Sequence, residues 1–509
     1  MSLILIKKAF KTLIIAGPVV TAKKTRNALH RYFKKAKEKL KEKRTLHVQR
    51  MGDRCTIILP VEISRRELLS RVHLAVEAVA RGHAVVIGDV KSIKKNLGKF
   101  SSGVYVIKDF YEIRAREILN AKAKGFMAVG WDEEGLIRIS EKAYLTKVSK
   151  TTLSALDMVY AWGNSDAEIL RRVCDDPAKV KVVGNPRMDL LNNTKKNLFA
   201  QEVKAIKNKV GRYILFNSSF SMYNSLLSQG EVEEKIRRVT KNDPASFTAR
   251  VEMQRKFEAD SIALFIECAK AILASTLVDT VVIRPHPVER KDFWLEAFKD
   301  FGNVIVSNEG NALPWLVGAE AVVHNSCTTG LEAFLLGQRV IVLGGDPPHW
   351  DFCLPNSVGE RCMDVESFLS CLKRDDFNKR SSYALLSLAE HLSALDHRGS
   401  AKRILDSIQD DQRIKQPSKI KLQKKAIKAE PNLMCSIPPS QQVEAKPLSD
   451  YDIAKLEGLN KEAIEKILEQ FGVKNVKLHA INESLLVLFN SRRRPEKNRR
   501  LLFSRPVGL

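Results

Sequence analysis

Three short stretches of this chain bring together side chains able to do chemistry. WDEEG places Asp132, Glu133 and Glu134 in one turn that ends at Gly135. Adjacent carboxylates repel and can raise one another's pKa, which prepares a general base; the alternative is a solvated turn. VVIRPHPVER presents Arg284 and His286, each followed by a proline, Pro285 and Pro287. The two rings restrict the turn and hold the cation and the imidazole in fixed directions. A histidine held this way can hydrogen-bond a phosphate or protonate a leaving oxygen, although a lone histidine is often structural. HNSCTTGLEAFLLG sets Asn325, Ser326, Thr328 and Thr329 before a helical run. Hydroxyls and free N–H groups there converge on a point that suits an anion; alternatively, Ser326 or Thr328 caps the helix.

These groups need a scaffold, and the flanking pattern supplies one. CTIILP reads as a strand, RRELLSRVHLAVEAVARG as an amphipathic helix ended by Gly82, and HAVVIGD as a second strand. GVYVIKD, GFMAVGW, DMVYAWG and VKVVGNP continue the series. The pattern restarts at GRYILFNSSF, which carries Ser218 and Ser219 past its strand. A long helical stretch over about 246–275 follows, and then TVVIRPHP, NVIVSNE, AEAVVHNS and QRVIVLGG. Alternating strand and helix predict an α/β protein of two Rossmann-like parallel-sheet domains, residues 51–200 and 211–410, with the Lys-rich segment 194–210 as linker. Such domains bind ligands past the carboxyl ends of their strands, where all three clusters fall. Glu62, Arg65 and Arg66 also follow a strand and are placed to meet an anionic acceptor, or Arg65 and Arg66 simply open the next helix. Asn185 and Arg187 of GNPRMD are expected to tie the domains together.

Composition bounds the function classes. At 509 residues the chain is long enough for two cores and additional segments. Residues 1–50, 411–430 and 491–509 carry +13, +5 and +6 of the formal net charge of +26, so the remainder is nearly neutral. That core lacks a basic stripe with interleaved aromatics, which argues against a nucleic-acid-binding module. The run TLIIAGPVV is far shorter than the ~20 apolar residues of a spanning helix. A cleavable signal ending near Ala22 is disfavoured by Pro18 and the basic stretch behind it. Residues 1–50 are instead expected to form a basic amphipathic helix lying on anionic lipid, or a solvated one. Eight cysteines without ligand spacing predict reduced thiols, with neither disulfide nor zinc. No dinucleotide fingerprint, P-loop or D-x-D after a strand occurs, so no cofactor and no metal are expected. Residues 411–450 read as a basic flexible linker, and 451–509 as a small helical module with the basic tail SRRRPEKNRRLLFSRPVGL.

Taken in order, LPVEISRRELLSRVHLAVEAVARGHAVVIG, WDEEGL, VVGNPRMDLL, YILFNSSFSMYN, VVIRPHPVER and VVHNSCTTGLEAFLLGQRVIVLG resemble the bacterial surface carbohydrate biosynthesis proteins. Those are distant relatives of the CDP-glycerol glycerophosphotransferases of teichoic acid synthesis and of bacterial sialyl- and Kdo-transferases. The resemblance spans about residues 55–405. It implies a GT-B fold with the active site in the cleft between two domains, and a nucleotide-activated donor on the second domain. It further implies metal-independent transfer to a hydroxyl of a lipid-linked glycan, by a cytoplasmic enzyme peripheral on the inner face of the cell membrane. The donor is a CMP-sugar or, as the alternative, a CDP-polyol. Glu133 and Glu134 match the family's acid positions before Gly135, and Asp132 is an extra acid, so Glu133 or Asp132 is the base. His286 and Pro287 match its HP motif, assisting departure of the nucleotide phosphate. Asn325, Ser326, Thr328 and Thr329 match its hydroxyl motif less closely because Cys327 interrupts it. Arg284, Ser218 and Ser219 are assigned to the donor; Glu332 and Glu289 are candidates for its ribose, Glu332 equally for packing. Glu62, Arg65 and Glu134 are assigned to the acceptor.

Overall fold

In a computed structural model, residues 55–100, 102–228, 230–231, 234, 244–275, 277–348, 350–374, 388–393, 398–411, 456 and 459–490 are described. The expected N-terminal basic helix, the linker 411–450 beyond Asp411 and the basic tail lie outside them. Among the described residues no helix is long and apolar enough to cross a membrane.

The first six strands are β1 (Thr56–Val61), β2 (Ala84–Asp89), β3 (Gly103–Ile107), β4 (Met127–Gly130), β5 (Met158–Ala161) and β6 (Val180–Val182). They pair in parallel in the order β2-β1-β3-β4-β5-β6. The joining helices are α1 (Ser64–Ala80), α2 (Val90–Asn96), α3 (Ile113–Ala123), α4 (Glu141–Leu145), α5 (Lys150–Ala155) and α6 (Asn164–Val173). Apolar strands need cover on both faces, and two separate clusters provide it. α1 shows why the sequence folds this way: Leu68, Val72, Ala75 and Val79 recur at helical spacing and are all buried. Gly82, at φ 87°, then turns the chain back into β2.

The second sheet follows α7 (Ala200–Val210) and contains β7 (Tyr213–Asn217), β8 (Thr280–Arg284), β9 (Val304–Val306), β10 (Ala321–His324), β11 (Val340–Leu343) and β12 (Glu360–Cys362). Its order is β12-β11-β10-β7-β8-β9, parallel throughout. The helices α8 (Pro244–Leu273), α9 (Lys291–Ala297), α10 (Ala312–Gly318), α11 (Thr328–Leu335) and α12 (Val365–Lys373) belong to it. The order reverses beside β7, between β10 and β8, so the two motifs that follow those strands flank a switch point. The chain is thus α/β with two parallel-sheet domains, as the alternation predicts.

Three expectations are corrected. The segment 194–210 is helical rather than an open linker, because Val203 and Ile206 of α7 pack on the second domain's core. α13 (Ser400–Asp410), read as the end of the second domain, buries Ala401, Ile404, Leu405 and Ile408 in the core of the first. The C-terminal segment is not a separate helical module. α14 (Lys461–Gln470) packs on α1's cluster, and the hairpin of β13 (Val476–Asn482) and β14 (Leu485–Asn490) extends the first sheet antiparallel to β2. LLVLF is apolar at every position because both its faces are covered: Leu486 and Leu488 enter one cluster, Leu485 and Val487 the other.

Candidate functional site

The turn after β4 sends its three carboxylates into different surroundings. Glu133 is buried and accepts from Trp131 Nε1 at 2.8 Å and Asn185 Nδ2 at 3.4 Å. Arg71 Nη2 lies 2.8 Å from it, with the guanidinium over the Trp131 ring. Its environment is that of a buried counter-ion, so the expectation of Glu133 as base is corrected. Glu134 is half exposed and accepts from Arg66 Nη1 at 2.8 Å. Burial raises the Glu134 pKa, but the Arg66 hydrogen bond and charge outweigh it and hold the carboxyl below its ordinary value. Asp132 is buried, its carboxylate accepts only the backbone N–H of Glu134 among the described contacts, and its pKa is pushed up to about 7. Desolvation is the main cause, and the nearby Asp166 carboxylate adds to it. Asp166 is itself lifted by burial to about 6. Asp132 has the raised pKa that suits a base near neutrality.

The turn after β8 is fastened from below by Glu289. This buried carboxylate accepts from Ser218 Oγ at 2.8 Å, Phe220 N at 2.9 Å, Trp294 Nε1 at 3.0 Å and His286 N at 3.3 Å. Its oxygens are therefore occupied, and the ribose role weighed for it is replaced by a positioning one, shared with Ser218. Arg284 is also reassigned: its guanidinium donates to the carbonyls of Asn308, Glu309 and Gly310 at 2.7–3.3 Å. Burial, with the Arg65 charge second, lowers its pKa to about 10, so it stays charged while pinning the loop beyond β9. His286 is exposed, its Nδ1 accepting from Val288 N at 3.4 Å, with Pro287 exposed beside it. Protein atoms still crowd it, and this desolvation, reinforced by Arg66, lowers its pKa despite Glu134. Ser219 is half-buried past β7.

The turn from β10 into α11 carries the only non-glycine residue with positive φ among those described, Ser326 at 56°. Such a conformation costs about 1–3 kcal/mol and persists only where neighbours hold it. Asn356 holds it, accepting from Ser326 N at 2.9 Å and donating to Ser326 Oγ at 3.2 Å. Asn325 is likewise structural, its amide donating to Leu343 O. No side chain caps α11, so the capping alternative for Ser326 and Thr328 is not what the structure contains. Thr328 is exposed on the first turn, and Thr329 Oγ1 donates to Cys327 Sγ. Gly330 is required where it stands, since a Cβ there would lie 2.1 Å from the ring of buried His324. Glu332 lies buried on α11, paired with Arg187 of the first domain, which corrects the ribose assignment in favour of packing. Arg187 therefore ties the domains as expected, whereas Asn185 binds Glu133 within its own domain.

Arg66 and Arg65 also reach across. Arg66, at the start of α1, binds Glu134, and its charge is felt by His286 and Glu332 across the cleft. Arg65 is close enough to depress Arg284. Glu62 is taken up by Lys108 at 2.7 Å and Arg114 at 3.4 Å, a network inside the first domain that leaves the acceptor role to others. Sequence reasoning missed Asn356, Asp166 and Arg71; each acts on a residue distant in the chain.

No family model and no curated protein matches this chain. Among solved structures, it is similar to UDP-GlcNAc 2-epimerase from Methanocaldococcus jannaschii, at 15% identity over 70% of this chain and 99% of that one, TM-score 0.46. The wall teichoic acid polymerase TagF is matched at 9% identity, over 78% of this chain and 99% of that one, TM-score 0.43. Anabaena Alr3699/HepE, in complex with UDP and glucose, is matched at 10% identity, 70% and 99% coverage, TM-score 0.37.

Proposed function

We propose that this chain is a glycosyltransferase of surface carbohydrate biosynthesis, moving a sugar from a nucleotide-activated donor, a CMP-sugar, to a hydroxyl of a lipid-linked glycan. The observation that carries this reading is the meeting of the acid turn and the His286 turn at Arg66. The donor phosphate rests against the uncapped first turn of α11 and the Thr328 hydroxyl, where free N–H groups favour an anion. His286 starts neutral; the arriving phosphate raises its pKa, and the imidazolium then donates a proton to the leaving phosphate oxygen. Asp132 takes the proton of the acceptor hydroxyl as the new glycosidic bond forms and the bond from sugar to phosphate breaks. Arg66, bound to Glu134 and felt by His286, supplies a fixed cation for the charge that develops. In this reading the basic terminal segments hold the enzyme on the anionic cytoplasmic face of the membrane, where a lipid-linked acceptor lies.

The test is calorimetry on the full chain with CMP, CDP, UDP, GDP and UMP, in EDTA, for wild type and His286→Ala. CMP binding that survives EDTA and weakens by an order of magnitude or more in the variant supports the reading. A response to CDP without CMP moves the donor to a CDP-polyol. Binding of no nucleotide, or binding indifferent to His286, overturns it.

A further inference from the structure

A hollow of about 250 Å³ opens at the seam between the domains. Leu136, Arg138, Ser165 and Arg172 line it from the first domain, Phe352 and His391 from the second. Hydrogen bonds close the seam on either side: Asp351 N donates to Ile139 O at 2.8 Å, and Ser393 N to Trp162 O at 2.7 Å. Between them the Phe352 and His391 rings stack with centroids 5.4 Å apart and planes 16° from parallel. His391 Nδ1 lies 3.0 Å from Ser165 Oγ, which accepts from Arg138. Gly163 makes this placement possible, because a Cβ there would come within 2.4 Å of the His391 backbone. Phe352 keeps 45% of its surface exposed.

We propose that this pocket is the subsite for one neutral sugar ring of the acceptor, stacked on the Phe352 face and hydrogen-bonded by the charged groups around it. The volume falls just below the ~300–1,000 Å³ of pockets for drug-sized ligands and suits a single ring. An aromatic plane meets the C–H face of a pyranose. The guanidinium charges are already balanced, Arg172 by Glu141 and Arg138 by Asp166, so their remaining donors suit hydroxyls more than an anion. The location serves the reaction. Asp166, which pairs with Arg138 here, is the carboxylate that acts on Asp132, and Trp162 Nε1 donates to the Asp132 carbonyl. The loop bearing Phe352 also bears Asn356, which holds Ser326 at the donor side. The acceptor role rests on the transferase reading; the sugar site itself does not.

Saturation-transfer NMR and calorimetry on the full chain, with glucose, galactose, mannose and N-acetylglucosamine as probes and glycerol 3-phosphate as the anionic comparison, test this directly. At least one hexose is expected to bind, to weaken about tenfold or more in Phe352→Ala, and to be lost in Glu168→Trp, which fills the pocket from an exposed position on α6. CMP binding, measured on the same samples, should be unchanged in both variants, which also verifies folding. No hexose binding, hexose binding that survives Glu168→Trp, or preference for glycerol 3-phosphate overturns the subsite. Absent nucleotide binding beside intact hexose binding overturns the donor reading alone.

Discussion

Neighbouring carboxylates of one turn differ here as strongly as residues from separate proteins, and their separation is measurable. Asp132, at about 7, must be ionised to act as a base, so the transfer rate should rise with pH through that value on its acidic limb. Asp132→Asn should lower turnover by roughly 10²–10⁴ and abolish that limb. An unchanged limb in the variant would show that another group titrates. The same shift acts on stability with a definite sign. The folded pKa lies above the unfolded ~3.9, so the folded state binds the extra proton between the two values and stability declines as pH rises through that window. Asp132→Asn removes that decline, and its melting temperature relative to wild type should increase from pH 5 to pH 8. Glu133→Gln should behave in the opposite manner. It strands the Arg71 guanidinium, a loss of about 3–5 kcal/mol, seen as a lower denaturation midpoint at all pH values in this range. If Glu133→Gln instead keeps its stability and loses activity, the base assignment reverses. The motif was legible in the sequence, but this division of labour was not, because it is decided by Arg71 and Asp166, which approach only through the fold.

The elements were read most reliably where one strand follows another through a helix. WDEEG, RPHP and HNSCTTG could be placed at strand ends because β4, β8 and β10 are short apolar runs with sharp limits. The C-terminal segment escaped that reading for a physical reason: an antiparallel hairpin added to a parallel sheet has no crossover to announce its partner, and β2 lies nearly 400 residues earlier. Its consequence is an edge. β2 would otherwise be the sheet's border, with unpaired backbone groups along Val85–Gly88, and α14 and β14 also cover apolar surface beside α1. Deleting residues 456–509 should therefore yield a chain that associates, seen by light scattering during size-exclusion chromatography. Leu488→Ala in the intact chain should cost about 2–5 kcal/mol in denaturant unfolding. A monomeric, fully folded truncation would show that the hairpin is dispensable. The turn into α11, proposed to hold the donor phosphate, was legible only in outline, since the sequence locates Ser326 but not Asn356, the residue that keeps it in its left-handed conformation.

At the scale of the molecule, the chain leaves the first domain after β6 and returns through α13, so the first domain is completed by residues on both sides of the second. The seam is partly apolar, with Leu136 and Trp162 packed among Leu354, Leu388 and Leu392 of the second core. The return is anchored by Asp189, which accepts from Ser400 N at 2.6 Å and Ala401 N at 2.9 Å at the N-terminus of α13, while His73 Nε2 lies 3.2 Å away. A carboxylate in that position balances both the free N–H groups and the helix dipole. Gly399, at φ 68° with Asp189 oxygens 3.0–3.2 Å from any Cβ it would carry, lets the chain enter the helix at this spot. Because α13 follows the second domain in sequence yet fills the core of the first, loss of either domain should destabilise the other, and calorimetry should record one unfolding transition. Asp189→Ala removes the anchor, costing about 0.5–2 kcal/mol, and loosens the point where the chain leaves the second domain and enters α13, while leaving the four core residues of that helix in place. The transition should then broaden or divide into two, with nucleotide raising only the component that contains the second domain. A single sharp transition at the wild-type temperature would mean that the apolar seam, and not the return helix, carries the coupling between the two domains.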